Sequence, residues 1–292
     1  MDLAYRIVNV FTVDDDPFSH NPFSGNPLAV FENAGALDGD QMQSLARQLN
    51  LSETTFVTGT GGGVRSDEVD ATVRIFTASY EMPFAGHPTL GTASVVADLC
   101  GRDSVVLGMP AGRVAVALSD GRWTLEAPAT PSGRPAGATP DELAAMVGLT
   151  VGDLDGDATW IDTGVEQLVL PLVSAAALRR ALPDMTLLGR HGRSSLGESQ
   201  IYLWAPTGSE SIEARMFFGQ GSGVVEDPAT GSACANLGGW FHLRGDRGIH
   251  RVVRQGDAIH RPSELHLDVD EDGTIRVGGS VFELGRGTMT LP

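Results

Sequence analysis

The chain has 292 residues, 41% of them hydrophobic, and a formal net charge of −17. That suits a globular protein of two domains, and the acidity with scattered Arg argues against nucleic acid. All 20 basic residues are Arg, so no lysine is present for a Schiff base to a cofactor, a Walker A phosphate grip or a general base.

Two Cys, Cys100 and Cys234, cannot build a disulfide framework, so the expected location is the reducing cytoplasm. The start of the chain does not read as a signal peptide, and no apolar run is long enough for a membrane span.

Tyr5 to Phe11 alternates with period two and predicts the first strand. A Pro/Gly/Asn-rich loop from Asp14 to Asn26 follows, then a strand at 27–31 and an amphipathic helix over 39–50 through Met42, Leu45, Ala46 and Leu49. Strands are expected at 53–58 and 71–78, a helix from about Pro88 to Cys100, and strands at 104–107, 112–118 and 122–126. Pro128 to Pro140 reads as the linker, and Thr139-Pro140-Asp141-Glu142 as a capping box that opens a short helix. Beyond it come strands at 158–162 and 166–172, a helix from Ser174, strands near 199–205 and 212–218, a helix over 231–243 and a strand-rich end.

The second part repeats the element order of the first. Arg74-Ile75-Phe76 leads into Glu81-Met82-Pro83-Phe84-Ala85-Gly86-His87, and Arg215-Met216-Phe217 leads into Glu226-Asp227-Pro228-Ala229-Thr230-Gly231-Ser232. Both copies read E-x-P-x-x-G, then a polar residue, then a helix. Shared order and half-chain spacing imply a duplicated fold, two similar domains facing each other across a cleft.

Each glycine turn opens a helix, whose unpaired N–H groups and positive dipole end suit an anion such as a carboxylate. An ordinary turn glycine would look the same singly; the matched pair with His87 and Ser232 favours function. His87 at a helix start is a hydrogen-bond partner for a ligand or a capping histidine. Asp227 is a functional carboxylate or one that settles on the helix dipole. Glu53 lies in Leu51-Ser52-Glu53-Thr54-Thr55-Phe56-Val57, otherwise a buried strand, and is a proton-transfer group or a solvated strand start. Gly219 to Gly223 and Gly61-Gly62-Gly63 lack the strand and helix context of a dinucleotide loop. His242, His250, His260 and His266 lack metal spacing, Asp268 to Asp272 reads as a solvated hairpin turn before Gly273, and no G-x-S-x-G elbow occurs.

These segments, with Gly25-Asn26-Pro27-Leu28-Ala29-Val30, Pro83-Phe84-Ala85-Gly86-His87-Pro88-Thr89-Leu90-Gly91-Thr92 and Gly285-Arg286-Gly287-Thr288, resemble the PhzF family of phenazine-biosynthesis isomerases. The resemblance spans the chain in order. It implies an α+β, diaminopimelate epimerase-like fold of two pseudo-symmetric domains, each a curled sheet around a central helix. The halves would be 1–127, with the strand at about 281–292 returning to it, and 128–280. It implies Glu53 as general acid/base with His87 and Asp227 as its catalytic companions, and substrate carboxylate binding around Gly86, Gly231 and Ser232. It departs from the family at the acidic Pro-rich stretch Asp14–Phe23 and at Gly164-Val165-Glu166-Gln167, where the phenazine enzyme is more basic. Thiol racemases of the same fold use one Cys per half at the glycine turns; Cys100 and Cys234 lie elsewhere and asymmetrically.

The expected function, as the resemblance implies, is a cofactor-independent, metal-free and homodimeric isomerase moving a proton between carbons of a small unsaturated carboxylic acid like trans-2,3-dihydro-3-hydroxyanthranilate. The alternatives are a carbon–carbon hydrolase of an antibiotic pathway that builds alkylprolines, or a dimeric binding protein without turnover.

Overall fold

A computed structural model of the chain describes residues 1–13, 21–60 and 69–291. Residues 14–20 of the acidic stretch and Gly61-Gly62-Gly63 lie outside the described residues. The chain divides into two compact units, Met1–Glu126 with Gly278–Pro292, and Ala127–Val277. Among the described residues no helix is long and apolar enough to cross a membrane.

The first unit opens with β1 (Asp2–Thr12), β2 (Asn26–Phe31), α1 (Gly39–Leu49) and β3 (Glu53–Thr60). Asp38 caps α1 by accepting from the Gln41 N–H at 2.8 Å, and the Gln41 side chain accepts from the Asp38 N–H in return. The crossover through α1 lets β2 and β3 pair parallel. Next come β4 (Ala71–Phe76), β5 (Glu81–Met82), α2 (Gly86–Cys100), β6 (Ser104–Met109), β7 (Gly112–Ser119) and β8 (Arg122–Glu126). α2 is apolar nearly all round, the pattern of a helix enclosed on every side. It packs against β1, β2, β3, β6 and β8, so the sheet curls about it.

The second unit holds β9 (Ser132–Pro135), α3 (Pro140–Met146), β10 (Thr159–Asp162), β11 (Glu166–Pro171), α4 (Ala175–Arg180), α5 (Met185–His191), β12 (Gln200–Pro206), β13 (Ser211–Gln220), β14 (Gly223–Asp227), α6 (Gly231–Leu243), β15 (Ile249–Gln255) and β16 (Ser263–Val269). The last strand, β17 (Ile275–Thr290), pairs antiparallel with β1. Arg6, 4% exposed, ties that end of the chain down by meeting Glu32, Asp98 and Glu283 at 2.6, 2.6 and 2.9 Å.

The two units repeat one pairing scheme. β2 runs parallel to β3 as β11 does to β12, and β4 parallel to β6 as β13 does to β15. α6, buried like α2, packs against β9, β10, β11 and β16.

The structure differs from the sequence expectations at four places. The segment read as a linker contains β9, which pairs antiparallel with β10 and packs Gly133 against Ile161 and Leu243, so it is part of the second unit. β4 stops at Phe76 and a two-residue strand, β5, precedes the first glycine turn. α2 begins at Gly86 rather than near Pro88. α5 was not expected; Asp184 caps it, accepting from the Leu187 N–H at 2.8 Å. Gly219 to Gly223 forms the tight hairpin between β13 and β14, with Gln220 opposite Gly223.

Candidate active site

Both glycine turns stand on the same scaffold. Arg74 on β4 grips Glu81 on β5 with two hydrogen bonds of 2.7 Å, and its guanidinium lies over the Phe76 ring at 5.0 Å. Arg215 on β13 grips Glu226 on β14 at 3.0 and 2.7 Å and lies over Phe217 at 4.6 Å. Arg215 also donates to the Leu178 and Ala181 carbonyls, at 3.0 and 2.9 Å, at the end of α4. Bidentate Arg–carboxylate pairs fix geometry as well as charge. The cross-strand register agrees: Phe76 lies opposite Glu81, and Phe217 opposite Glu226.

From this clamp the first unit builds a pair of ionisable groups. Glu53 is the first residue of β3, beside Leu28 of β2. His87 is the second residue of α2, after Ala85 at the N-cap and Gly86. The helix is brought close because Gly91 has no side chain: a Cβ there would lie 2.6 Å from Leu28 Cδ2 and 2.9 Å from Val10 Cγ2. A buried Thr55–Thr92 hydroxyl contact of 2.8 Å pins β3 to α2. His87 Nδ1 then lies 3.1 Å from Glu53 Oε2, with the side chains 4% and 16% exposed. The approach is ion-pair close but is not aligned as a hydrogen bond, so among the described residues Glu53 Oε2 is a buried oxygen without a donor. His87 Nε2 is likewise buried without a partner. Two unsatisfied buried polar atoms in one contact are costly unless another molecule completes them.

Around the second glycine turn the polar side chains bond to one another. At the N-terminus of α6, Thr230 donates its hydroxyl to Asp227 Oδ2. Gln255 on β15 donates to the Asp227 carbonyl at 2.9 Å and to Thr230 Oγ1 at 3.1 Å. The next residue, Gly256, has φ +84°, and a Cβ there would fall 2.6 Å from the Pro228 carbonyl oxygen. Only glycine lets the corner close on that turn. Ser232 accepts from Gln167 Nε2 on β11 at 3.1 Å.

Thus the structure joins Glu53 to His87 in the first unit with Gly86 beside them, and gathers Asp227, Gly231 and Ser232 at the head of α6 in the second. The sequence marked Gln167 only as part of the stretch 164–167 that departs from the family, and gave no pointer to Asn236 or Gln255; all three are buried. The signal available for the first was a polar residue within an otherwise apolar strand. Cys234 is fully buried, and burial pushes its thiol well above the ordinary range; Cys100 is exposed at the far end of α2. Among the described residues no group of three or more His, Cys, Asp or Glu is arranged for a metal ion. A cavity of about 480 Å³ lined by Arg134, Pro140, Leu143, Leu154 and Arg244 involves none of the predicted site residues.

The family described as phenazine biosynthesis-like protein, PhzC-PhzF, matches residues 15–283. An uncharacterised isomerase of Pasteurella multocida is 38% identical over 99% of this chain and 94% of its own length. Trans-2,3-dihydro-3-hydroxyanthranilate isomerase of Pseudomonas chlororaphis is 33% identical over 94% of this chain and 98% of its own. Among solved structures, a predicted epimerase of Pseudomonas aeruginosa superposes with TM-score 0.79 at 30% identity, covering 99% of this chain and all of that one. A hydroxyproline epimerase from Agrobacterium vitis, at TM-score 0.60 and 10% identity over 99% of this chain and 93% of that one, shares the α+β fold alone.

Proposed function

The chain belongs to the PhzC-PhzF family and is an isomerase; we propose that it moves a proton between two carbons of a small unsaturated carboxylic acid, with Glu53 as the group that carries it. The observation behind this reading is the Glu53–His87 pair, 3.1 Å apart, with a buried carboxylate oxygen and a buried imidazole nitrogen that have no hydrogen-bond partner among the described residues. A carbon acid adjacent to a conjugated system needs one positioned base. Glu53 takes the proton from one carbon, the double bond shifts, and Glu53 returns the proton to another carbon on the same face. Atoms and electrons balance without oxidant or reductant, so the reading requires no cofactor.

His87 holds the Glu53 carboxylate in place and offers Nε2 to the substrate. Asp227 supplies a second carboxylate, and Gly86, Gly231 and Ser232 take the substrate carboxylate through helix-start N–H groups and a hydroxyl. By resemblance to relatives named for it, the reference substrate is trans-2,3-dihydro-3-hydroxyanthranilate.

The test is incubation of the purified protein with that acid in D₂O, followed by mass spectrometry and NMR. The expected product has the mass of the substrate apart from deuterium at the carbon that receives the proton, and none forms with Glu53→Gln. Product smaller by a fragment would replace isomerisation by carbon–carbon cleavage. Unchanged acid recovered from a complex would leave a binding protein.

A further inference from the structure

The second unit contains a buried polar chain behind Ser232 that the fold itself does not require. Asn236 Oδ1 accepts from the Thr163 N–H at 3.0 Å and the Thr163 hydroxyl at 2.7 Å. Asn236 Nδ2 donates to the Val165 carbonyl at 2.7 Å and to Gln167 Oε1 at 2.8 Å. Gln167 Nε2 donates to Ser232 Oγ at 3.1 Å.

A backbone N–H can only donate and a backbone carbonyl can only accept, so these two groups fix which way the Asn236 amide faces. Its Nδ2 then fixes the Gln167 amide. The chain therefore has one direction, and at its end Ser232 can only accept from Gln167. The single hydroxyl hydrogen of Ser232 is left to point elsewhere, and among the described residues it has no acceptor.

The strand registers show what the first unit places at the same points. Leu28 lies beside Glu53 and opposite Val8, and Gln167 lies opposite Ile161, two residues before the Val169 that pairs with Tyr202 of β12. Counting from the paired Phe76 and Phe217, Leu28 and Val10 are the counterparts of Gln167 and Thr163. Gly91 and Asn236 each stand five residues after the turn glycine. In the first unit the three positions form one apolar contact: a Cβ on Gly91 would meet Leu28 and Val10 first. In the second all three are polar and buried. A buried network costs desolvation that an apolar core avoids, so its presence at one of two equivalent sites asks for a function.

We propose that Gln167, held by Asn236 and Thr163, is a positioning residue that sets the Ser232 hydroxyl as an obligate donor, so that the second glycine turn selects an anionic oxygen of the ligand. The inference rests on the proposed role of Ser232 in binding the substrate carboxylate.

The probe is 3-hydroxyanthranilate, the stable aromatic acid of the same skeleton, with 3-hydroxyanthranilamide as its neutral counterpart, titrated by calorimetry. The parent protein should bind the acid in preference to the amide. Gln167→Leu should weaken acid binding by about tenfold and amide binding much less, raising KM on the reference acid more than it lowers kcat. In a Ser232→Ala background the same substitution should have no further effect, because Gln167 acts through that hydroxyl. A loss of packing alone would weaken both probes and add to the effect of Ser232→Ala. The triple variant Thr163→Val, Gln167→Leu, Asn236→Ala, which copies the apolar character of the first unit, should keep its melting temperature and lose acid binding as Gln167→Leu does. Full acid binding by Gln167→Leu with normal parent turnover overturns this inference and leaves the isomerase reading standing. Failure of the parent to bind the acid overturns both.

Discussion

The two glycine turns share a backbone and differ in what they leave unfinished. Each has an Arg–Glu clamp whose guanidinium lies over an aromatic ring, a strand that ends in the turn and a buried helix that starts at glycine. In the first, Glu53 and His87 meet with buried atoms that lack partners among the described residues. In the second, the position that corresponds to Glu53 by register is Gln200, which donates to the Glu166 carbonyl at 2.8 Å, and Ser232 replaces His87. An amide and a hydroxyl can bind but cannot carry a proton at neutral pH. On the proposed reading, a duplicated scaffold thus supports one turn for proton transfer and one for holding a ligand.

The largest expected effect comes from removing the proposed proton carrier. Glu53→Gln keeps the shape of the side chain and should lower turnover of the reference acid at least about 10²-fold, the usual scale for a lost general base, while binding of the acid survives. Adding Gln200→Glu should not restore activity, because the second turn has no imidazole beside that position. Turnover regained by the double variant, followed as deuterium uptake, would break the assignment of chemistry to one half.

Much of this asymmetry was legible in the sequence. The E-x-P-x-x-G repeat gave the two turns, and the change from His87 to Ser232 was visible in it. Glu53 could be suspected as a carboxylate at the head of an apolar strand. What sequence alone could not reveal is the satisfaction of each group: Gln167, Asn236 and Gln255 bond to residues 65, 69 and 28 positions away or at similar separation, and no local spacing encodes such contacts. β9 was hidden because Pro and Gly dominate its segment, and it is a strand only through pairing with β10.

A second test exchanges the packing of the two units. Gly91→Asn would bring a Cβ to 2.6 Å from Leu28 Cδ2 and bury an amide among apolar side chains. The expected loss is about 2–4 kcal/mol from overpacking and an unsatisfied polar group, read from denaturant unfolding. The same residue is accommodated at 236 because Thr163, Val165 and Gln167 satisfy it. A neutral Gly91→Asn would show that the first unit can also host a polar chain, and the contrast between the units would fail.

Acid should act on a contact that the second unit alone possesses. Glu166 stands where the first unit has Pro27, and its carboxylate is held down at about 2, chiefly by Arg134, with the Ser195 N–H adding to the effect. A carboxylate depressed in the folded state stabilises the fold above its ordinary titration range and loses that contribution as pH falls towards 2. The melting temperature should therefore decline between about pH 4.5 and 2, and Glu166→Gln should flatten the decline. An unchanged slope in that variant would assign the acid sensitivity to other carboxylates, such as Glu81 and Asp98, which Arg74 and Arg6 hold below their usual range.

The smallest expected effect concerns the thiols, and it separates this chain from racemases that share its fold. Cys234 lies three residues beyond the second turn glycine, and the corresponding residue of the first unit is Thr89, whose hydroxyl donates to the Ala85 carbonyl at 2.7 Å. A thiol buried at that point, with its ionisation pushed up by desolvation, supplies neither a nucleophile nor a base. Cys100 is exposed at the C-terminal end of α2, a helix length away from His87. Iodoacetamide should therefore modify Cys100 alone in the folded protein and leave turnover unchanged, as peptide mass mapping and an activity assay on the same sample would show. Modification of Cys234 with the fold intact and activity lost would place a working thiol in the second turn, and the division into a proton-transferring half and a binding half would have to be given up.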